Sequence, residues 1–218
     1  MNKQQALAFA QMCNLPLVRW RIPLAGKEAS SITEDMLSPL YDNEAGLWHY
    51  FVRGAPCMLL RNIQPTKALA NGTTGWMHTL SFSHEPPTEL TEAEASQGFC
   101  VVDLDEPPLS INFMPFLPDD DTGEGIESIA ADTLVVPIVA SPDLLEYDTS
   151  SLYSTMSNIP RVLKHRGHPL TLAFAMTDFK VQGRTCDYVN LSIAARPFPP
   201  HLDMKGFYVM ISRVRRGL

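Results

Sequence analysis

Apolar and polar residues follow two different periods along this chain. Over residues 2–13, Ala6, Phe9, Ala10 and Cys13 recur three and four apart among Gln and Lys, which predicts a helix closed by Leu15 and Pro16. From Pro16 to Leu24 the period changes to two. Leu17, Arg19 and Arg21 fall on one side and Val18, Trp20 and Ile22 on the other, the pattern of a half-buried strand. Residues 25–46 read as a polar connector with a short helix near Ile32–Leu40.

A β-rich stretch follows. Tyr50–Leu60 holds a bend at Gly54-Ala55-Pro56 and an apolar strand after it. Asn71-Gly72-Thr73-Thr74-Gly75 is a turn signal, because Asn and Gly tolerate the positive φ of tight turns. Trp76–Phe82 alternates as a strand, residues 88–96 predict a helix with Thr91 and Glu94 at capping-box spacing, and Phe99–Leu104 predicts a strand stopped by Pro107-Pro108. Residues 115–128 are acidic and glycine-bearing, as a loop is, and Leu134–Val139 is a short strand. Residues 141–168 read as mostly irregular. The chain then gives an apolar run at Leu170–Met176, a loop and possible helix at 177–187, a strand at Tyr188–Ile193 and a helix near Met204–Arg213. A continuous apolar run such as LTLAFAM suits a buried parallel strand.

Composition narrows the picture. A chain of 218 residues with 45% hydrophobic content can bury one good core, or a domain with a sizeable insertion. No apolar run approaches the roughly 20 residues of a membrane span, and the N-terminus lacks the apolar core of a signal peptide. These features predict an intracellular protein, nuclear if eukaryotic, with no membrane partner. The four cysteines are widely spaced without a CxxC pair, so free thiols are expected. His165 and His168, beside Lys164 and Arg166, read as a solvated basic loop and not as a metal site, and no metal ligands are predicted.

The net charge of −7 conceals an asymmetry. Residues 84–150 carry 16 acidic side chains and no Lys or Arg, while residues 151–218 carry 10 Lys or Arg against 3 Asp. The C-terminal third could meet a polyanion that the middle would repel; equally, the two stretches could attract each other within the fold.

In an open α/β sheet, ligands bind beyond the carboxyl ends of the strands. The run LTLAFAM would deliver Thr177, Asp178, Lys180, Gln182 and Gly183 to such an end. Gly183 permits close backbone approach to a phosphate, and Thr177 and Lys180 can contact phosphate oxygens. In the last helix Phe207, Met210, Ile211 and Val214 form an apolar stripe, and Arg213 falls off it. A guanidinium there could offer a planar fork to a γ-phosphate.

Three segments, in order, carry a resemblance. GAPCMLLRNIQPTKALANGT is similar to G-A-P-V-M-L-L-R-N-L-D, a gap, and G-L-x-N-G-T. PLTLAFAMTDFKVQGRTCDYVNL resembles an apolar strand followed by T-I-H-K-S-Q-G, and FYVMISRV resembles Y-V-A-L-S-R-V. Together they resemble superfamily-one DNA helicases of the Pif, Helitron and RecD kinds. The resemblance falls on the second RecA-like motor domain with its inserted SH3-like β domain. It implies an α/β fold: a partial RecA-like domain interrupted by a small SH3-like β-barrel. The first RecA-like piece would span 1–45, the β-rich insertion 46–165, and the second piece 166–218. It implies an ATP-driven 5′→3′ DNA motor in which Gln182, Gly183 and Arg213 lie at the nucleotide, Arg213 being the catalytic contact. Thr177, Lys180 and Phe179 would lie towards single-stranded DNA, and Asn71 and Gly72 would form the turn of the inserted domain.

The departures carry chemistry too. Phe179 stands where the family has His and Val181 where it has Ser, which removes an imidazole and a hydroxyl, and Asp178 adds an anion. Phe179 could still stack on a base. There is no GxxxxGK[ST] in the chain, so ATP and Mg²⁺ are expected only where a first helicase motor domain, in cis or in trans, supplies the phosphate loop. The VVDLDE run at 101–106 has the look of an acidic metal-binding strand end but reads as a solvated one. The expectation is a helicase fragment that does not hydrolyse ATP alone. The alternatives are a helicase-derived module that binds DNA or protein without catalysis, and an unrelated α/β enzyme.

Overall fold

The computed structural model describes residues 2–96, 98–116, 134–152 and 159–175, together with 208, 211 and 212. The chain divides into two compact units, Met1–Phe174 and Ala175–Leu218. The first unit opens with helix α1 (Asn2–Cys13), which buries its small residues Ala6 and Ala10 completely. Asn14 ends it in the left-handed conformation at φ 55°. The Leu15 N–H then reaches back to the Ala10 carbonyl at 2.9 Å and the Asn14 N–H to Gln11 at 3.2 Å. These two bonds are a Schellman closure, with Asn doing what Gly does more often.

Strand β1 (Leu17–Arg21) follows, then the two-residue β2 (Leu24–Ala25), helix α2 (Glu34–Asn43) and β3 (Trp48–Phe51). Next come β4 (Pro56–Leu59), β5 (Thr74–Ser81), helix α3 (Thr88–Ser96), β6 (Val101–Leu104) and β7 (Ser110–Pro115). Strands β8 (Val136–Val139), β9 (Leu145–Asp148), β10 (Val162–His165) and β11 (Leu170–Leu172) complete the set. They form three sheets, ordered β3-β1-β6, β2-β10-β9 and β11-β4-β5-β7-β8. The pairing of β1 with β6 is parallel and the others are antiparallel. The architecture is mixed α/β. Among the described residues the five-stranded sheet is open, running from β11 to β8 without closing into a barrel.

Several sequence expectations change here. The run beginning at Leu170 is not a parallel strand: Leu170–Leu172 pairs antiparallel with Leu59–Cys57 at the end of the five-stranded sheet. Apolar content reports burial and says nothing of partner direction. Helix α3 begins at Thr88, so Thr91 lies inside it, and its hydroxyl donates back to the Pro87 carbonyl at 3.3 Å instead of capping. Ser110–Pro115, to which the sequence reading gives no strand, is nearly all buried. Its polar residues are consumed internally. The Asn112 side-chain amide donates to the Thr79 and Ser81 hydroxyls at 2.8 and 2.9 Å, and the Ser110 hydroxyl donates to Asn112 Oδ1 at 2.8 Å. The stretch 141–168 holds two strands, β9 and β10, which pair with each other over four residues. The acidic run 117–133 lies outside the described residues.

Two apolar cores result. The larger joins α1, α3 and strands of the first and third sheets around Trp20, Met77, Ile111 and Phe113. The smaller gathers Ile32, Leu40, Tyr41, Leu47, Leu152, Ile159 and Leu163 around α2. None of the described helices is long and apolar enough to cross a membrane.

Candidate functional site

The segment that carries the first helicase-like motif is built as a self-locking loop. Gly54 turns the chain at φ 77°, and its N–H donates to the Met77 carbonyl at 2.7 Å. Strand β4 then pairs with β5 on one side and β11 on the other. Beyond it, the Asn62 side-chain oxygen accepts the Asn71 N–H at 2.9 Å. Gly72 follows at φ 97°, and its N–H returns to the Leu59 carbonyl at 2.8 Å. The Thr73 hydroxyl closes the inner turn by donating to the Ala68 carbonyl at 2.7 Å and accepting the Ala70 N–H at 3.0 Å. Asn62, Asn71, Gly72 and Thr73 thus fix the backbone of a turn whose one buried residue is Leu69. Arg61 extends from the loop to the Ser141 hydroxyl at 2.8 Å and the Asp143 carboxylate at 2.7 Å.

The same loop is bonded to β11 at both of its ends. The Leu60 N–H donates to the Pro169 carbonyl and the Ala173 N–H to the Pro56 carbonyl, each at 2.8 Å, at the two ends of the β4–β11 ladder. Phe174 packs on Phe9 of α1 with ring centroids 5.4 Å apart. Thr177, Phe179, Lys180, Gln182, Gly183 and Arg213 lie outside the described residues. Near the last of them, Tyr208 and Ile211 are helical and exposed, and the Ser212 N–H bonds the Tyr208 carbonyl at 3.0 Å.

The acidic strand end at 101–106 resolves into an ion pair. Asp103 lies in register with Arg19 across the parallel β1–β6 pairing, and its two oxygens accept from Arg19 Nε and Nη2, the latter at 2.9 Å. The hydrogen bond from Arg19 holds the Asp103 carboxyl below the usual carboxylate range. A carboxylate engaged by a bidentate guanidinium is poorly placed to take a metal. Among the described residues no group of three or more His, Cys, Asp or Glu is arranged to hold one.

His165 and His168 are not solvated; they are 8% and 2% exposed. With His49 they surround a cleft of about 520 Å³, also lined by Lys3, Trp48 and Glu146. His49 stacks on Trp20 with centroids 5.4 Å apart and meets His168 edge-on at 5.7 Å. Burial, with repulsion from His168 and His165, pushes the His49 imidazolium down to about 3. Burial lowers His165 and His168 as well; for His168 the Leu109 and Pro108 carbonyls oppose the shift. All three rings are neutral at pH 7. Among the described residues Trp20 Nε1 and His165 Nδ1 are buried without a hydrogen-bond partner, while the His168 ring has the Leu109 and Pro108 carbonyls beside it. Gly167 makes room for this packing, since a Cβ there would stand 3.1 Å from His49 Nε2. Sequence reasoning missed the cluster because His49 is distant in the chain and basic neighbours masked the burial of the other two. The one usable signal was the period-two placement of Trp20 on the apolar side of β1.

No protein-family model and no curated protein matches the sequence. Among solved structures, the Pif1 helicase from Candida albicans superposes with a TM-score of 0.51 at 17% identity, over 97% of this chain and 40% of that one. A structure of two coordinating Pif1 helicases at forked dsDNA gives 0.48 at 17% identity, over 99% of this chain and 35% of that one. Bacteroides Pif1 bound to ssDNA gives 0.43 at 15%, over 99% and 37%. The likeness to the Candida protein is one of fold, and this chain spans about 40% of that structure's length.

Proposed function

We propose that this chain is a helicase-derived fragment corresponding to the second RecA-like motor domain of a superfamily-one Pif-type DNA helicase, with its SH3-like insertion. The supporting observation is a coincidence of two independent kinds. Motifs that arrive in helicase order lie on a chain that takes, over 97% of its length, the fold of part of a Pif1 helicase. In this reading 1–45 and 166–218 are the two RecA-like pieces and 46–165 the insertion. Gln182, Gly183 and Arg213 face the nucleotide, and Thr177, Phe179 and Lys180 face single-stranded DNA. ATP and Mg²⁺ act only with a first motor domain that carries the phosphate loop. When bound there, the triphosphate supplies the energy of stepping, and the contribution of this chain is the Arg213 guanidinium against developing phosphate charge.

The second reading, a catalytically silent DNA- or protein-binding module, is favoured by Phe179 and Val181 in place of a ring donor and a hydroxyl. One titration series tests both. The purified chain should show no magnesium-dependent, DNA-stimulated ATPase. It should bind single-stranded DNA with affinity that falls steeply as salt rises, and Lys180→Ala should reduce the salt slope by about one. Hydrolysis by the chain alone would refute the dependence on a partner domain. Absence of binding at low salt would remove DNA from both readings.

A further inference from the structure

The outer face of the five-stranded sheet carries an aromatic ledge that no helicase-like motif uses. Trp76 on β5 and Met114 on β7 are directly opposite across the antiparallel pair. Phe116, two residues beyond Met114, lies on the same face, and its ring meets Trp76 edge-on with centroids 4.8 Å apart. Both are open to solvent, Trp76 at 37% and Phe116 at 47% exposure. An adjoining hollow of about 290 Å³ is lined by Arg53, Gly54, Trp76, Met77, His78 and Met114. Gly54 leaves its mouth open: a Cβ built there meets nothing within 4 Å. Among the described residues Arg53 has no carboxylate partner.

A face of this kind has a physical preference. An indole held rigid by an edge-on phenyl presents a π surface, and a free guanidinium beside it attracts an anion. An unpaired nucleotide offers both complements in one unit, a flat base for the indole and a phosphate for the guanidinium. A purely apolar partner would leave the cation unanswered. We infer that the Trp76–Phe116 ledge, with Arg53 at its rim, is a stacking site for an unpaired base of single-stranded nucleic acid. The choice of partner rests on the DNA reading above; the ledge uses none of the residues Thr177–Gly183 or Arg213.

The test compares, on the full chain, a labelled oligothymidine of about 12 nucleotides, within the range a small β domain covers, with an abasic strand of the same length. Tighter binding of oligothymidine is expected. Trp76→Ala and Phe116→Ala should each weaken it, Trp76→Ala by about 10-fold, without changing abasic binding, and Trp76→Phe should retain most of the affinity. Arg53→Ala should weaken both strands, by about 3-fold, and flatten the salt dependence by about one phosphate. Equal affinity for the two strands, unaltered by Trp76→Ala, overturns the stacking site and leaves the DNA reading intact. A Trp76→Ala change that alters only the oligomeric state also overturns it, by making the ledge a self-association face. Failure of both strands to bind at low salt ends this inference and the DNA reading together.

Discussion

The two cores of the first unit are held in different ways. On the face of β7 that carries Ile111 and Phe113 the packing is apolar and close, and the backbone itself takes part. A Cβ added to Gly75 on β5 would stand 2.1 Å from the Met114 carbonyl oxygen. Around α2 the apolar cluster is smaller and polar groups pin it. The Tyr41 hydroxyl donates to the Ile22 carbonyl at 2.6 Å, the Trp48 indole to the Tyr41 carbonyl at 2.8 Å, and the Tyr147 hydroxyl to the Glu44 carboxylate at 2.5 Å. Arg21 lies over the rings of Tyr41 and Trp48 at 5.1 and 5.6 Å. A core with enough area to bury needs shape; a core with little needs directed bonds.

The largest expected effect tests the first half of that contrast. Gly75→Ala forces β5 away from β7, because the obstacle is backbone. The stability loss should be about 4 kcal/mol or more, read by denaturant unfolding. Gly54→Ala meets no neighbour and carries only the strain of its φ of 77°, about 1 kcal/mol. Similar costs for the two would show that the sheet is looser than its geometry. The histidines at the boundary of the cores come next. His49 has a folded-state pKa of about 3, below the ordinary value of 6.5. The unfolded chain therefore binds the proton first as pH falls. The stability held above pH 6.5 drains away between 6.5 and about 3, at about 1.4 kcal/mol for each pH unit. His165 and His168 shift in the same direction. His49→Phe keeps a ring on Trp20 and should flatten that acid limb in unfolding curves taken across pH.

The same contrast explains what the sequence discloses. Helix α1, the bend at Gly54, the turn at Asn71-Gly72 and strand β5 were legible because their signals are local: period 3.6, period 2, and residues suited to positive φ. Strands β9 and β10 were not. LEYD and VLKH alternate weakly and are strands because they pair with each other. Ser110–Pro115 hides behind an Asn that only its bonds to Thr79 and Ser81 make tolerable in a core. The candidate sites divide the same way. The motif loop was legible as residues, yet its Asn and Gly turn out to brace backbone. The histidine cluster and the aromatic ledge join residues from separate strands, so no window of sequence contains either.

Smaller effects sharpen the second half. A Cβ on Gly46 would stand 2.6 Å from the Tyr147 hydroxyl, the movable end of a side chain. Gly46→Ala should cost about 1–2 kcal/mol, most of it through the lost bond to Glu44. In a Tyr147→Ala background that cost should nearly vanish, because the two changes act on one contact. A cost that persists would place the strain in the backbone, as at Gly75, and erase the distinction between the cores.

The smallest effect belongs to the Arg61 bridge. Its guanidinium ties the motif loop to Ser141 and Asp143, but the Asp143 side chain is 74% exposed. Water competes for such a pair and salt screens it, so a double-mutant cycle of Arg61→Ala with Asp143→Ala should give a coupling of about 0.5 kcal/mol, falling as ionic strength rises. The loop already has Asn62, Thr73 and the β4–β11 ladder to fix its backbone. A coupling several times larger would mean that the arginine, and not the hydrogen-bonded turn, sets the position of the loop. The pinning by directed polar contacts seen around α2 would then extend to the edge of the larger sheet.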